Sequence, residues 1–154
     1  MNELTVANNN LPSNIEDLSA LVVIDQEKLK AVNAQLRAMK RLGFAEEAVR
    51  LKTKEAQQLA EQKTYAEMML GKLTAAMPTS QGKRSDITSY LANKKLETKQ
   101  EALERVNVSP VHASQYERMA AHPDIVEEAL AEARENGDIV SRASILKKVK
   151  QKQK

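Results

Sequence analysis

The sequence of 154 residues has no cysteine, no tryptophan and a single phenylalanine. Without cysteine there can be no disulfides, thiolate nucleophiles or cysteine-ligated zinc, and the absence fits a reducing cytosol. Aromatic residues make up only 3% of the chain, so aliphatic side chains and Met must fill any core. Only four Gly and four Pro occur, whereas Ala, Leu, Glu, Gln, Lys and Arg are abundant, as is typical of long helices. We therefore expect an all-α fold.

Long hydrophobic runs are also missing. The longest uninterrupted one, residues 20–24, is far shorter than the roughly 20 residues that span a bilayer. The first 12 residues are polar and rich in Asn, unlike a signal or transit peptide. These features predict a soluble, cytoplasmic protein.

The first half of the chain has the pattern of two long helices. Ser13 and Glu16 have the spacing of a capping box, which predicts a helix start. Asp25 is expected to cap a restart or mark a kink. Gly43 follows a basic turn and predicts the end of the first helix. Beyond it, a seam of apolar residues at heptad spacing predicts a second helix up to Met77, so the two form a hairpin or coiled-coil stalk.

The expected domain organisation follows from these signals. We predict a disordered leader over 1–12, the stalk over 13–77, a linker with room for a short helix over 78–97, a helix-turn-helix domain over 98–149 and a basic tail over 150–154. Two helices bury only one stripe each, and a lone hairpin is seldom stable. Self-association through the leftover stripe, giving a homodimer, is therefore expected.

One segment in the last third predicts two short helices joined by a tight turn. Thr98 and Glu101 form a second capping box, and Asn107 is a residue type that tolerates positive φ. Ser109 can then cap a new helix whose first position is Pro110. This order of signals is that of a helix-turn-helix unit.

In such a unit the second helix lies in the major groove. Its predicted outward residues, the candidates for DNA contact, are Ser109, Val111, His112, Ser114, Gln115 and Arg118. Gln115 could read adenine, and Arg118 could read guanine or hold a phosphate. The alternative is an ordinary corner between two helices, with both side chains simply solvated.

The end of the chain is basic. Residues 142–154 contain six Lys and Arg and no acidic residue, and Arg142, Lys147 and Lys148 are candidates for phosphate contact. Lysine-rich termini are also common as solvated tails. The net charge of +3 decides nothing alone.

The C-terminal third resembles the helix-turn-helix domain of ParB and KorB partition proteins. Residues 101–109 (EALERVNVS) are similar to that family's first helix and turn, 109–119 to its recognition helix and 137–146 to a later segment. Leu103 stands where a small residue is usual and Asn107 where Gly is usual. The preceding nucleotide-binding domain is missing, so the resemblance does not imply CTP-dependent behaviour. The overall layout also resembles proteins of phages and integrated elements, which implies a bacterial host cell.

Sites of catalysis are not evident in the sequence. His112 and His122 are ten residues apart, which is not the spacing of a helical metal site. We expect no enzyme activity, cofactor or metal. The predicted function is a dimeric double-stranded-DNA-binding protein of a phage or mobile element, acting in transcriptional control, replication or segregation. The alternative is a non-enzymatic adaptor or inhibitor that binds a host protein through the stalk.

Overall fold

The computed structural model describes residues 11–78 and 98–152, and these are helical with no strand. The helices are α1 (Ile15–Arg41), α2 (Glu46–Ala75), α3 (Lys99–Arg105), α4 (Pro110–Ala121), α5 (Pro123–Asn136) and α6 (Arg142–Lys152). The predicted all-α class, with a long hairpin followed by a small helical unit, is confirmed. Residues 1–10 of the predicted leader over 1–12, and the predicted short linker helix, lie outside the described residues. No described helix has the length and apolar character needed to cross a membrane.

The start of α1 differs from the prediction by one residue. Asn14, not Ser13, is the cap, and its Oδ1 accepts a hydrogen bond from the Asp17 backbone N–H at 2.8 Å. The predicted capping box of Ser13 with Glu16 is therefore wrong, and Glu16 instead forms an ion pair with Arg105 of α3. Asn14 and Asp17 are also three residues apart, like Ser13 and Glu16. When Asn14 is the cap, the apolar residues of the first turn, Ile15 and Leu18, face the core.

The turn between α1 and α2 is made by the backbone. Gly43 has a φ of 76°, and the N–H of Phe44 donates to the carbonyl of Met39 at 3.0 Å. This is the Schellman arrangement, which satisfies carbonyls at a helix end and favours Gly in the left-handed position. The predicted helix end at Gly43 is confirmed.

The middle of α1 contains a buried acid. Asp25 is 1% exposed, and α1 runs through it without a break. The predicted restart at this residue is therefore wrong. The side-chain amide of Gln62 on α2 lies at 3.0 and 3.1 Å from the two carboxylate oxygens, so its nitrogen can donate to them. Burial raises the pKa of Asp25, and the positive charges of Lys28 and Lys63, which lower it, only partly offset this effect.

The C-terminal helices pack directly on α2. Tyr65 of α2 belongs to a buried cluster with Met119 of α4 and Ile145 of α6, while Leu70 packs in a second cluster with Tyr116. The α2 members of these two clusters all lie at or after Tyr65. The hairpin and the small C-terminal helical unit thus share their cores.

The backbones of the two units approach each other closely at Gly71. A Cβ atom on Gly71 would lie 2.2 Å from the backbone oxygen of Tyr116. Such a distance is far inside van der Waals contact, so only Gly lets the backbones of α2 and α4 meet here. This crossing fixes where α4 sits along the hairpin.

The remaining boundaries follow local capping chemistry. Gly137, with a φ of 71°, ends α5, and the Ser141 hydroxyl accepts from the Ser144 N–H at 3.1 Å to cap α6. The last helix continues past the predicted tail boundary to Lys152. The Lys99 N–H donates a hydrogen bond to the Pro78 carbonyl at 2.8 Å, so the start of α3 lies beside the residue that follows the last turn of the hairpin.

Candidate nucleic-acid interface

The turn between α3 and α4 has the predicted backbone shape. Asn107 has a φ of 59° and is the only non-glycine residue with positive φ in the part of the chain that the structure describes. The N–H of Val108 donates to the carbonyl of Leu103 at 3.0 Å. Since Asn tolerates the left-handed conformation better than most residues, it can close this turn in place of Gly. The expectation of positive φ at Asn107 is confirmed.

The start of α4 is also as predicted. The Ser109 hydroxyl accepts a hydrogen bond from the N–H of His112 at 3.1 Å, and Pro110 occupies the first helical position. Proline is well suited to this position because its missing N–H would have no partner there. The turn and the cap together set the direction in which α4 leaves the corner.

Helix α4 has one buried and one exposed face. Ala113, Tyr116 and Met119 are buried against α2 and α6. The exposed residues at the start and along the outer face are Ser109, Val111, His112, Ser114 and Arg118. Val111 is 66% exposed, which is high for an apolar side chain. Five of the six predicted contact residues of α4 therefore share one accessible surface, which we call the α4 face.

Gln115 does not belong to the α4 face. It is half-buried, its Oε1 is enclosed by protein, and it lines a cleft of about 510 Å³ between α1, α2 and α6. The prediction that Gln115 points outward is therefore wrong. The physical reason is helical periodicity, because Gln115 lies four residues before Met119 and so shares the row of a fully buried residue.

Arg142 is part of the internal packing. Its guanidinium donates to Glu67 Oε2 at 2.8 Å and lies 5.5 Å from the ring centroid of Tyr116. Glu67 is 1% exposed and also pairs with Lys63 at 3.2 Å. A buried carboxylate requires such partners. The structure thus gives Arg142, a predicted phosphate contact, a partner within the protein, since its charge balances that of Glu67.

Tyr116 joins this cluster to the α4 face. Its ring stacks on His112, with centroids 6.2 Å apart and an interplanar angle of 18°. Burial, together with the negative charge of Glu67, raises the pKa of Tyr116 to about 12. The phenol is therefore neutral at physiological pH and acts as a platform for the exposed imidazole.

The lysines of α6 differ from one another. Lys148 forms ion pairs with Glu132 at 2.9 Å and Glu128 at 3.6 Å, and Lys152 also pairs with Glu128. The hydrogen bond that the Lys148 ammonium donates to Glu132 raises the pKa of Lys148. Lys147 is exposed and has no ion pair with another described residue. Of the three basic residues predicted on the last helix, Lys147 alone keeps an uncompensated charge.

The α4 face is only mildly basic. Lys99 and Arg105 of α3 are in ion pairs with Glu117 and Glu16. Arg118 is exposed and forms no ion pair within residues 11–78 and 98–152. The face therefore presents one strong cation beside hydroxyl, imidazole and methyl groups, which is a set suited to reading base edges more than to general attraction of phosphate.

Sequence reasoning missed Glu67 and Gly71, whose importance comes from helices distant in the chain. No arrangement of His, Asp and Glu side chains in the described part of the chain could hold a metal ion. Comparisons with models of protein families, with curated proteins and with solved structures found no match.

Proposed function

We propose that this chain is a non-enzymatic, sequence-recognising DNA-binding protein of a phage or mobile element, and that the α4 face enters the major groove. The observation that carries the proposal is the left-handed turn at Asn107 followed by a Ser-capped helix with one face free of packing. The same order of elements characterises helix-turn-helix units. The resemblance of residues 101–119 to ParB and KorB partition proteins also supports it.

The residues of the α4 face suggest separate roles. Arg118 is suited to a bidentate contact with guanine, and Val111 to apolar contact with the methyl group of thymine. Ser114 can donate to or accept from either base of a pair. Ser109 and His112, at the start of α4, lie where a helix amide terminus favours phosphate.

Because the α4 face carries little positive charge, one copy of the protein alone would bind DNA weakly. Affinity for DNA depends strongly on the number of phosphates neutralised, and Arg118 and Lys147 supply few such contacts. Two units binding adjacent half-sites would add their binding free energies. A homodimer that acts in transcriptional control, replication or segregation therefore belongs to the same proposal.

Selection from a pool of random duplexes tests this function. We expect the full chain to enrich one sequence, and its affinity for that duplex to exceed its affinity for an unrelated duplex at both low and moderate salt. A shape-only or charge-only interaction would instead give equal affinities that fall together with salt. No enrichment, and no saturable binding at low salt, would overturn the proposal.

A further inference from the structure

The end of the hairpin exposes apolar side chains. We call residues 37–51, which surround the α1–α2 turn, the hairpin tip. Leu42 is 73% exposed, Leu51 59% and Phe44 52%. These are three of the six large hydrophobic residues that are exposed in the described part of the chain. Single exposed hydrophobics are ordinary, whereas several within ten residues indicate an interaction surface.

The fold itself does not require these side chains. The turn is closed by backbone hydrogen bonds to Lys40 and Met39 and by the positive φ of Gly43. The nearest buried cluster, formed by Val32, Leu36 and Ala56, lies further down the hairpin. The side chains of Leu42, Phe44 and Leu51 therefore contribute neither to the hydrogen bonds of the turn nor to the buried cluster.

Charge at the hairpin tip is divided between the two helices. The end of α1 has the exposed cations Arg37, Lys40 and Arg41, and α2 begins with the exposed acids Glu46 and Glu47. In the next turn of α2, Arg50 forms an exposed ion pair with Glu47 at 2.8 Å. The cations at the end of α1 and the acids at the start of α2 each have the sign of charge that interacts favourably with the dipole of their own helix. The division also makes the tip complementary to itself, because a two-fold rotation can place the basic end of α1 against the acidic start of α2 in a second copy.

We propose that the hairpin tip binds the hairpin tip of a second copy of this chain, with the end of each α1 against the start of the partner's α2. Leu42, Phe44 and Leu51 would lie at the centre of this interface, with the charged residues around them. The self-association rests on the tip alone. The further claim that this dimer binds two DNA half-sites at once rests on the proposed function.

The position of the tip sets a spacing for the half-sites. The roughly 25 residues of α2 between Glu46 and Gly71 rise about 38 Å, at about 1.5 Å per residue. Gly71 is where α4 crosses α2. In an end-to-end dimer the two α4 helices would lie up to about 75 Å apart, which is close to two helical turns of DNA at about 34–36 Å per turn. The selected sequence should therefore contain half-sites two turns apart.

Sedimentation of the full chain across the micromolar range is the first test. We expect the wild type to form a dimer and the variant Leu42→Ser/Phe44→Ser/Leu51→Ser to be a monomer with unchanged helical circular dichroism. The matched control is Val23→Ser/Ile24→Ser, since these two exposed apolar residues lie on α1 away from the tip. A monomeric wild type, or equal loss of dimer in both variants, would overturn the inference.

An exchange of charges tests the arrangement without removing apolar groups. The variants Lys40→Glu/Arg41→Glu and Glu46→Lys/Glu47→Lys should each be monomers, because positions 40, 41, 46 and 47, which face each other across the interface, then all carry the same sign of charge. Mixed in equal amounts, they should form a heterodimer in which both contacts are again between opposite charges. Failure of the mixture to recover the dimer would contradict the proposed pairing and point to another occupant, such as a host protein.

The two proposals fail separately. A wild type that is a monomer but still enriches a DNA sequence would remove the tip interface and leave the proposed function intact. A wild type that dimerises through the tip and enriches no sequence would remove the DNA-binding proposal alone. A dimer that enriches half-sites at one turn would contradict the end-to-end geometry.

Discussion

Gly71 is a residue at which the backbones of the hairpin and of the C-terminal helical unit come close together. The Cβ of Ala at this position would lie 2.2 Å from the backbone oxygen of Tyr116, which cannot rotate away. We expect Gly71→Ala to lower the free energy of unfolding by about 2 kcal/mol, because the cost of overpacking exceeds the gain in helix propensity of about 1 kcal/mol. Denaturant unfolding measures the change. Lys72→Ala, at the exposed neighbouring position, is the control, and wild-type stability in Gly71→Ala would contradict the close crossing.

Asp25 is a residue whose ionisation opposes folding. Burial raises its pKa in the folded state, so the carboxylate destabilises the fold at neutral pH, and this penalty fades as pH falls below the folded-state pKa. Asp25→Asn keeps an oxygen that can accept from Gln62. We expect the variant to melt at a higher temperature than the wild type at pH 7.

The dependence on pH distinguishes this effect from a change in packing. The difference in melting temperature between Asp25→Asn and the wild type should shrink as pH falls through the folded-state pKa of Asp25. Glu27→Gln, at an exposed position nearby, should show no such trend. A constant difference at all pH values would contradict the ionisation argument.

At the scale of elements, the turn between α3 and α4 depends on one backbone conformation. Asn107 has a φ of 59°, where a residue with a Cβ pays roughly 1–2 kcal/mol and Gly pays nothing. We expect the stability order Gly, then Asn, then Ala at this position, with Asn107→Ala destabilised by about 1 kcal/mol in denaturant unfolding. Equal stability of the Gly and Ala variants would mean that the turn is not left-handed.

Elements set by local chemistry could be predicted from sequence. The α3–α4 turn, the Ser109 cap and the helix end at Gly43 all depend on neighbouring residues, and each was predicted at the right place. The cap of α1 was misplaced by one residue because two overlapping pairs have the same spacing. Local sequence signals could not select between the two pairs, because the choice depends on which residues of the first helical turn pack into the core.

At the scale of the whole molecule, local sequence signals could not predict which side chains of the candidate site are exposed. Gln115 and Arg142 were predicted on the DNA surface, but packing of α4 and α6 against α2 turns Gln115 into a cleft and pairs Arg142 with Glu67. Nothing near Arg142 in the chain indicates that a buried carboxylate 75 residues earlier needs a partner. Long-range packing thus narrowed the candidate site to the α4 face.

The shared cores predict cooperative folding of the entire described molecule. Tyr65 of the hairpin is buried in a cluster with residues of α4, α5 and α6, and Leu70 in a cluster that includes residues of α3 and α4 as well as α1. A fragment ending at Pro78 would expose both side chains and keep two helices with one seam, which is seldom stable. We expect the fragment 1–78 to lose most of its helical circular dichroism and to melt without cooperativity.

The full chain, in contrast, should unfold in one transition by circular dichroism and by Tyr fluorescence. A fragment 1–78 that keeps its helicity and melts cooperatively would show that the hairpin is independent, contrary to the interlocked packing.

Arg118 is the residue on which the DNA-binding proposal is tested most directly. Fluorescence anisotropy with a selected duplex should compare the wild type, Arg118→Ala and the control Lys54→Ala, whose exposed cation lies on the first part of α2. Losing a bidentate base contact costs about 1–3 kcal/mol, so Arg118→Ala should weaken binding roughly tenfold or more, while Lys54→Ala binds as the wild type does. Equal affinities for all three proteins would contradict the assignment of the α4 face to DNA.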